Sequence, residues 1–561
     1  MKPLLTLRKA HTTDLTQAAR SRGTADFLGR FWATQDGAMT YMGVAGALVM
    51  MVFGGIGIDM IHAELKRTEV QNTLDRAVLA AANMNNGADP GETVQSYFDA
   101  MGMGDALGTV TVAQTDIAKT VAADAEIVMP ANFMELIGVE NLRAAGDAAA
   151  QHGLLNIEIS MVLDVSGSMS GAKIEQLRQA ARSFVDLMLP EEGNALPVTI
   201  SIVPYNATVN LGPDVAGYYN LDDTQTYSHC ATFETADFVA TGIPDGQMLT
   251  RLGHFDPYSR NVYDPLDVTQ PVEAIARPWC QTDQTSAIIP HSDDADALKA
   301  HIDTFTAGGN TAIDLGMKWG AALLDPSARP TVADMALDGV ASIEAADRPA
   351  PYGDIETLKF VVIMTDGQNT TQYDLRESFK TGGSGIFVDS AYDSAPTISD
   401  YGFQILDAAG QPTGDYLRPV DVARAENGET VTPWTPAGPL RELSNTELYA
   451  LFSTRDAWTL FYRPAYEAGH ISYSEYYNRY YTYVSTVNYV QADTNLSIQC
   501  GAARDQGVVI YAIGVEAPAR GQTAMRDCAS SASHYFDVQG EDLTRTFESI
   551  ARSLTQLRLT Q

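Results

Sequence analysis

Five side chains in three short segments are of the kind that bind hard metal ions: Asp164, Ser166, Ser168, Thr311 and Asp366. The first three form a D-x-S-x-S loop directly after an apolar run. The threonine follows Gly-Gly-Asn, and the last aspartate follows a second apolar run and precedes a glycine. Mg²⁺ prefers octahedral oxygen ligands, which hydroxyls, carboxylates and retained waters supply. These residues therefore predict a divalent-cation site if the fold brings the segments together.

The elements that must position these side chains alternate between apolar strands and amphipathic helices. The pattern predicts strands at 157–163, 198–203, 358–364 and 508–515. It predicts helices at 173–189, 293–304, 312–324, 494–506 and 542–557. Such alternation is typical of an α/β fold with a doubly wound parallel sheet and helices on both faces. The D-x-S-x-S loop and Asp366 would then lie at the carboxyl ends of strands, where open α/β sheets bind ligands.

Two long stretches, 205–285 and 370–493, interrupt this alternation and are interpreted as insertions. The second contains the turn signal LDAAGQPTGDY, which predicts a hairpin. It also contains a stripe of tyrosines at helical spacing, made of Tyr473, Tyr476, Tyr477 and Tyr480. We interpret the stripe as the insertion's own core, with an interface as the alternative, because tyrosine is used in both settings.

The N-terminal region is distinguished by its charge. Residues 1–36 carry six Lys or Arg against three Asp, and the next 22 residues, 37–58, carry no charge. As a helix this run is long enough to cross a hydrocarbon core of about 30 Å. The positive-inside rule places the tail in the cytoplasm and the bulk of the chain outside it. A cleaved signal peptide and a buried core helix are the alternatives to this single membrane helix.

The chain as a whole is acidic, with 36 Lys and Arg against 70 Asp and Glu in 561 residues and a net charge of −34. Such a surface repels phosphate backbones, so the composition argues against nucleic-acid binding. The length predicts several structural units, because domains average about 150 residues. Divalent cations are the charged partners that this composition favours.

The four cysteines are an even number on the side of the membrane where disulfides form. They are Cys230, Cys280, Cys500 and Cys528. Of the three possible pairings, Cys230–Cys280 and Cys500–Cys528 keep each bridge within one segment of the chain. Four buried thiols are the alternative. The cysteines have no C-x-x-C spacing, so they do not indicate a structural zinc site.

The loop at 164–168, the Gly-Gly-Asn-Thr start of a helix at Thr311 and the Thr-Asp-Gly strand end at Asp366 resemble the metal-ion-dependent adhesion site of von Willebrand factor A domains. This resemblance implies a Rossmann-like domain with bound Mg²⁺ or Mn²⁺. The hydroxyls of Ser166, Ser168 and Thr311 would approach the metal, and the two aspartates would often act through water. The family leaves one metal position open for an acidic residue of a protein partner, which implies binding and not catalysis.

The charge-free run, Asp59 and the segment VQNTLDRAVLAAA resemble the membrane anchors of Tad (Flp) pilus-assembly proteins of the TadG kind. Members of that group commonly place a von Willebrand A domain after the anchor and a small intermediate module. The implied organisation is a cytoplasmic tail (1–36), a transmembrane helix (37–61), a juxtamembrane helix and small α/β module (62–152), and the metal-binding domain (153–561). The implied location is the bacterial inner membrane with the bulk of the chain in the periplasm. The implied partner is a pilus component.

An enzyme is the alternative class of protein, and the sequence contains little that supports it. It contains no G-x-x-x-x-G-K-[ST] loop, H-E-x-x-H helix or G-x-S-x-G elbow. His291 and His301 lie near the Thr311 segment, and we interpret them as surface or helix-cap residues. An envelope-anchored adhesin unrelated to pili is the third interpretation. The sequence thus predicts a metal-dependent protein-binding protein that is not an enzyme.

Overall fold

The structure is a computed structural model that describes residues 36–83, 88–114, 118–153, 156–190, 198–354, 356–392, 394–539 and 542–560. The chain divides into two compact units, Met1–His152 and Gly153–Gln561. The predicted cytoplasmic tail lies outside the described residues, except for Asp36.

One continuous helix, α1 (Asp36–Ala82), dominates the first unit. It is long and apolar enough to cross a membrane, and most of its apolar N-terminal half is exposed. Its second half buries Val70, Leu74 and Val78 in a small core. That core also contains residues of α2 (Pro90–Ala100), β1 (Leu107–Gln114) and β2 (Ala118–Pro130). The sheet has the order β1-β2-β3, where β3 is Asn141–Gly153.

The strands of the second unit are β4 (Asn156–Asp164), β5 (Val198–Tyr205), β6 (Ala231–Thr232), β7 (Thr250–Arg251), β8 (Ile289–Ser292), β9 (Thr357–Thr365), β10 (Gln372–Leu375), β11 (Gly383–Asp389), β12 (Tyr401–Leu406), β13 (Pro412–Leu417), β14 (Leu440–Ser444), β15 (Tyr483–Val487), β16 (Val509–Val515) and β17 (Tyr535–Val538). Its helices are α3 (Ala172–Met188), α4 (Gly212–Ala216), α5 (Ala295–Ile302), α6 (Ile313–Ala322), α7 (Arg329–Leu337), α8 (Glu377–Lys380), α9 (Pro419–Glu426), α10 (Asn445–Leu451), α11 (Thr454–Ala457), α12 (Arg463–Glu467), α13 (Tyr473–Tyr480), α14 (Tyr489–Asp505), α15 (Ala519–Cys528) and α16 (Leu543–Thr560).

A six-stranded sheet of order β17-β16-β9-β4-β5-β8 forms the centre of the second unit. Neighbouring strands from β17 to β5 are parallel, and β8 pairs antiparallel with β5 at the edge. The buried central strand β4 is therefore flanked on both sides, and its carboxyl end meets those of β5 and β9. This arrangement places the D-x-S-x-S loop between the ends of two neighbouring strands.

Both faces of the sheet are covered by hydrophobic cores. On one face, alternate residues of β4 such as Ile159 and Met161 pack in a cluster with Phe184 of α3 and Phe547 of α16. On the other face, Val162 belongs to a second cluster that contains residues of α6, α14 and α15. Successive side chains of a strand point to opposite faces, which explains the division. The predicted mixed α/β architecture is confirmed.

The two long interruptions, 205–285 and 370–493, pack against each other. They share a third hydrophobic core, in which Phe255 and Trp279 of the first stretch meet Leu375 and Phe452 of the second. The disulfide Cys230–Cys280 lies in this core. The predicted hairpin at LDAAGQPTGDY is formed by β12 and β13. The two stretches thus share a core within the second unit, which their sequences do not indicate.

Both predicted disulfides are confirmed. Cys230–Cys280 links residues 50 positions apart within the first insertion, with Cα atoms 6.1 Å apart. Cys500–Cys528 joins α14 to the end of α15, 28 positions later, with Cα atoms 5.0 Å apart. These Cα separations fall in the range that a bridge requires. Neither bridge links one insertion to the other.

The structure corrects three details. The edge strand β8 and the strand β17 were not predicted, because each is only four residues long. Helix α14 begins at Tyr489, inside the stretch assigned to the second insertion. The tyrosine stripe on α13 is divided: Tyr473 (62% exposed) and Tyr477 face solvent. Tyr476 and Tyr480 are half-buried and pack against Trp458 of the same stretch. Tyrosine periodicity alone does not reveal which face of a helix is covered.

Candidate metal centre

Asp164 lies at the carboxyl end of β4 and is fully buried. Its Oδ1 accepts a hydrogen bond from the Ser166 backbone N–H at 2.8 Å, and its Oδ2 accepts one from the Thr365 hydroxyl at 2.6 Å. The first bond shapes the loop and the second ties it to the end of β9. Both carboxylate oxygens are therefore engaged in holding the loop in place.

The two loop serines and Asp366 form a chain of short polar contacts. The hydroxyls of Ser166 and Ser168 are 3.1 Å apart, and Ser168 donates to Asp366 Oδ1 at 2.6 Å. Ser168 and Asp366 are separated by 198 positions in the sequence. They meet because β4 and β9 are parallel neighbours whose carboxyl ends lie side by side. Three of the predicted oxygen donors thus share one small region.

The third segment is clamped to the loop through its backbone. Gly308 N–H donates to Val165 C=O at 2.9 Å, and Gly167 N–H donates to Gly309 C=O at 3.0 Å. Gly309 has a φ of +79°, a conformation that glycine adopts without strain. The Gly-Gly pair thereby places Thr311, two residues further on, at the same edge of the sheet.

The hydroxyl of Thr311 comes close to the other donors around Gly367. A Cβ built on Gly367 would lie 3.4 Å from Thr311 Oγ1 and 3.6 Å from Ser168 Oγ. Thr311 itself is buried, and its backbone C=O accepts from the Thr370 N–H at 2.9 Å. The five residues predicted from the sequence therefore converge: Asp164, Ser166, Ser168, Thr311 and Asp366.

Sequence reasoning missed Lys173, which lies in the first turn of α3. Its Nζ is 2.7 Å from Asp366 Oδ2 and 3.8 Å from Glu516 Oε2. The Asp366 side chain is buried, so this ion pair neutralises a carboxylate that water does not reach. The signal in the sequence was a lone cation five residues after the D-x-S-x-S loop, on the polar side of an amphipathic helix.

The local electrostatics favour added positive charge. Burial raises the pKa of Asp164 to about 6, and the negative charge of Asp366 adds to that shift, while hydrogen bonds from Ser166 and Thr365 oppose it. A cation near two carboxylates stabilises their ionised forms. The site thus contains more negative charge than Lys173 alone balances.

The donor set fits a hard divalent ion. Among the described residues no group of three or more His, Cys, Asp or Glu side chains is arranged to hold a metal ion. A cation at this edge would therefore depend on hydroxyl oxygens, which Ser166, Ser168 and Thr311 provide, together with Asp366. Hydroxyl and carboxylate oxygens are what Mg²⁺ and Mn²⁺ prefer, whereas zinc favours nitrogen and sulfur.

The interpretation of His291 as a surface or cap residue is wrong. His291 is fully buried; its Nδ1 is 3.0 Å from Thr199 Oγ1 and its Nε2 is 2.6 Å from Leu323 C=O. It fastens β8 to β5 and to the end of α6. His301 lies in the last turn of α5, where its Nε2 is 2.8 Å from Ala287 C=O.

The N-terminal helix is similar to a known protein family. Residues 37–84 match the family described as putative Flp pilus-assembly TadE/G-like. The match begins with the charge-free run and ends just past α1. No curated protein matches the chain. The family match therefore supports a pilus-related role through the membrane-proximal helix.

The solved structures that match this chain include domains of pilus proteins, at low scores. The vWF domain of the type V pili tip protein Mfa5 from Porphyromonas gingivalis is 14% identical, with a TM-score of 0.31, over 72% of this chain and 97% of that chain. The pilus adhesin RrgA from Streptococcus pneumoniae is 12% identical, with a TM-score of 0.28, over 80% of this chain and 49% of that chain. At these scores the similarity is coarse.

Proposed function

We propose that this protein is a membrane-anchored, divalent-metal-dependent protein-binding component of Tad/Flp pilus assembly or surface attachment. The observation that carries the proposal is the convergence of three distant segments on one sheet edge, where Ser168 contacts Asp366 and Thr311 lies beside Gly367. The set of hydroxyls resembles the adhesion site of von Willebrand factor A domains. Mg²⁺ or Mn²⁺ is the proposed cofactor.

Each residue of the site has a distinct proposed role. Ser166, Ser168 and Thr311 offer hydroxyl oxygens to the ion. Asp366 supplies charge and orients Ser168, and buried Asp164 holds the loop through the Ser166 N–H and the Thr365 hydroxyl. When bound, the ion supplies a Lewis-acidic position that accepts a carboxylate oxygen from a partner. None of these residues needs to act as a nucleophile or a base, so we propose binding without catalysis.

The acidic composition makes a metal-dependent switch effective. With a net charge of −34, the chain repels an acidic partner at long range. A divalent ion reverses the field locally, because a bound cation is often the largest charge in its site. The partner would therefore be a protein that presents Asp or Glu, and binding would require the ion.

The neighbouring insertions are proposed to select the partner. Tyr258 of the first insertion donates to the Asn310 side chain at 3.3 Å, and the Asn310 amide donates to Thr371 C=O at 3.2 Å. Both insertions therefore contact the residue that precedes Thr311. Their surfaces lie where a protein bound at the metal would meet them.

We further propose that α1 anchors the protein in the bacterial inner membrane, with the N-terminus cytoplasmic and the bulk of the chain periplasmic. The family match at 37–84 supports the anchor, and the excess of Lys and Arg before the apolar run supports this orientation. The two disulfides are consistent with an oxidising compartment. Pilus components are the proposed partners.

The direct test compares the full chain in detergent with Thr311→Ala. Calorimetric titration with Mn²⁺ measures the ion alone, and capture from envelope extracts of pilus-bearing cells measures the partner, with Mg²⁺ and with chelator. We expect Thr311→Ala to weaken Mn²⁺ binding at least tenfold and to lose the captured proteins, as chelator does for the wild type.

The matched control is Thr523→Ala, which removes an exposed threonine hydroxyl that donates only to Ala519 C=O within α15. This control should bind Mn²⁺ like the wild type. An identical set of captured proteins for wild type and Thr311→Ala, with and without chelator, would contradict metal-dependent recognition.

A further inference from the structure

A turn in the first unit folds against α1 close to the end of its apolar half. Asp59 is the first charged residue after the charge-free run, and its side chain is almost fully buried. Its carboxylate accepts hydrogen bonds from the backbone N–H groups of Asn132 at 3.3 Å, Phe133 at 2.7 Å and Met134 at 2.8 Å. Asp59 therefore holds the turn that connects β2 to β3.

The turn reaches into the apolar run itself. A Cβ built on Gly55 would lie 2.4 Å from Cγ of Phe133, so the phenylalanine ring rests directly on the helix backbone. Gly55 is four residues, about 6 Å along the helix, before Asp59 and within the segment 37–58. Only a glycine at this position permits such close packing. The turn thus covers part of α1 that is otherwise apolar and exposed.

The turn presents apolar side chains outward. Leu136 is 71% exposed and Ile137 is 55% exposed. Met60 and Ile61, which follow Asp59 on α1, are exposed as well. Backbone polar groups of the turn are hydrogen-bonded to one another: Leu136 N–H donates to Phe133 C=O, and Val139 N–H donates to Met134 C=O. A surface with satisfied backbone groups and exposed apolar side chains is suited to lipid.

We infer that residues 132–138 form a membrane-inserted wedge, with Leu136 and Ile137 in the outer boundary of the bilayer that α1 spans. Continuity with the apolar run of α1 identifies lipid as the occupant, since Phe133 lies on Gly55 within that run. Exposed Glu135 and Glu140 limit the depth of the wedge to the headgroup boundary. This inference rests on the membrane anchor of the proposed function and not on the metal site.

The wedge explains why the Asp59 carboxylate is hydrogen-bonded to the turn. A carboxylate at the edge of the hydrocarbon would need partners, and the three N–H groups of the turn supply them. The same bonds satisfy backbone donors that lipid could not satisfy. Asp59 is therefore a positioning residue that holds the wedge against α1, in addition to ending its charge-free run.

The test places a fluorescent probe at single cysteines, which is possible because all four native cysteines form disulfides. Leu136→Cys carries a nitrobenzoxadiazole label in the full chain, reconstituted in phosphatidylethanolamine–phosphatidylglycerol vesicles with and without doxyl-labelled lipid. Met50→Cys, at a 73% exposed position within the apolar run, reports the span.

Val112→Cys is the water-facing control, at a 45% exposed position. Val112 pairs with Val121, two residues from Lys119, whose Nζ reaches Asn83 C=O. Asn83 is 24 residues, about 36 Å along the chain of α1, beyond Asp59. The Val112 position is therefore far from the bilayer if the wedge is correct.

We expect doxyl lipid to quench the probes at 136 and 50 at least threefold more than the probe at 112. Asp59→Ala should reduce quenching at 136 to the level of 112 and leave the probe at 50 unchanged. Quenching at 50 without quenching at 136 would overturn the wedge and leave the anchor intact. A blue-shifted probe at 136 that lipid does not quench would identify a protein cover and also overturn it. Loss of quenching at 50 would overturn both the anchor and the wedge.

Discussion

Asp366→Asn separates charge from shape at the candidate metal centre. The amide keeps the volume of the side chain and an oxygen that can accept the 2.6 Å hydrogen bond from Ser168. What it loses is the negative charge that faces Lys173 at 2.7 Å. The substitution therefore tests whether the charge of Asp366, and not the packing around it, serves a cation.

The expected effect on metal binding is large. A pair of unit charges 4 Å apart interacts by about 4 kcal/mol at an effective dielectric constant of about 20. A divalent ion doubles this figure, and water together with the amide oxygen recovers part of it. If about 2.8 kcal/mol is lost, the affinity falls 100-fold. We expect at least that decrease for Mn²⁺, measured by calorimetric titration of the full chain in detergent.

The expected effect on folding is small. The Lys173–Asp366 pair includes a lysine that is 28% exposed and that also lies 3.8 Å from Glu516. The lysine that is left without its partner can be hydrated, and the neutral amide no longer carries the cost of burying a charge, so the net change should be about 1 kcal/mol or less. Urea unfolding followed by tryptophan fluorescence should therefore place Asp366→Asn within about 1 kcal/mol of the wild type.

Asp537→Asn is the matched control, since Asp537 lies on β17 of the same sheet and its side chain is 41% exposed. It should bind Mn²⁺ like the wild type. Equal Mn²⁺ affinity for wild type and a folded Asp366→Asn would refute the reasoning, because the charge would then have no role. Equal losses in both variants would show a general effect of surface charge.

Three further predictions concern stability. Burial raises the pKa of Asp314 to about 7, so this carboxyl loses its proton at a lower pH in the unfolded chain than in the folded chain, and the free energy of unfolding falls as pH rises from about 4 to 7. Asp314→Asn should flatten this pH dependence in urea unfolding, and an unchanged dependence would contradict the prediction. Lys359→Met removes the cation 2.5 Å from the buried carboxylate of Glu158 and should lower the free energy of unfolding by about 3–5 kcal/mol, most of which the double variant Lys359→Met with Glu158→Leu should recover. A double variant as unstable as the single one would contradict this prediction. Cys500→Ser with Cys528→Ser opens a loop of 28 positions and should lower unfolding free energy by about 3–4 kcal/mol in chemical denaturation, and an unchanged midpoint and slope would show that the bridge adds nothing.

Local patterns in the sequence determined a large part of this protein. The charge-free run predicted an apolar helix, and alternation of strands and helices predicted the α/β architecture, because periodicity reflects which face of an element is buried. The D-x-S-x-S loop and Asp366 could be placed at strand ends for the same reason. The predicted oxidising compartment and the short sequence separation of the paired cysteines were enough to predict the two disulfides, since each bridge closes within a short segment.

Other features depend on which distant surfaces pack together, and no local pattern carries that information. The contact of Lys173 with Asp366 requires that α3 and the end of β9 meet, although 193 positions separate the two residues. The shared core of the two insertions likewise joins segments with no periodicity in common.

Exposure on the helices was also decided by the tertiary structure. Tyr473 on α13 has the spacing of a core residue and yet is 62% exposed, with its ring beside the exposed Tyr466 and Tyr477 and not beneath a core element. Asp59 follows an apolar run like any charge that ends a membrane helix, but its carboxylate is buried beneath a turn 73 to 75 positions away. Sequence periodicity determines which faces an element has, whereas long-range packing decides what covers each face.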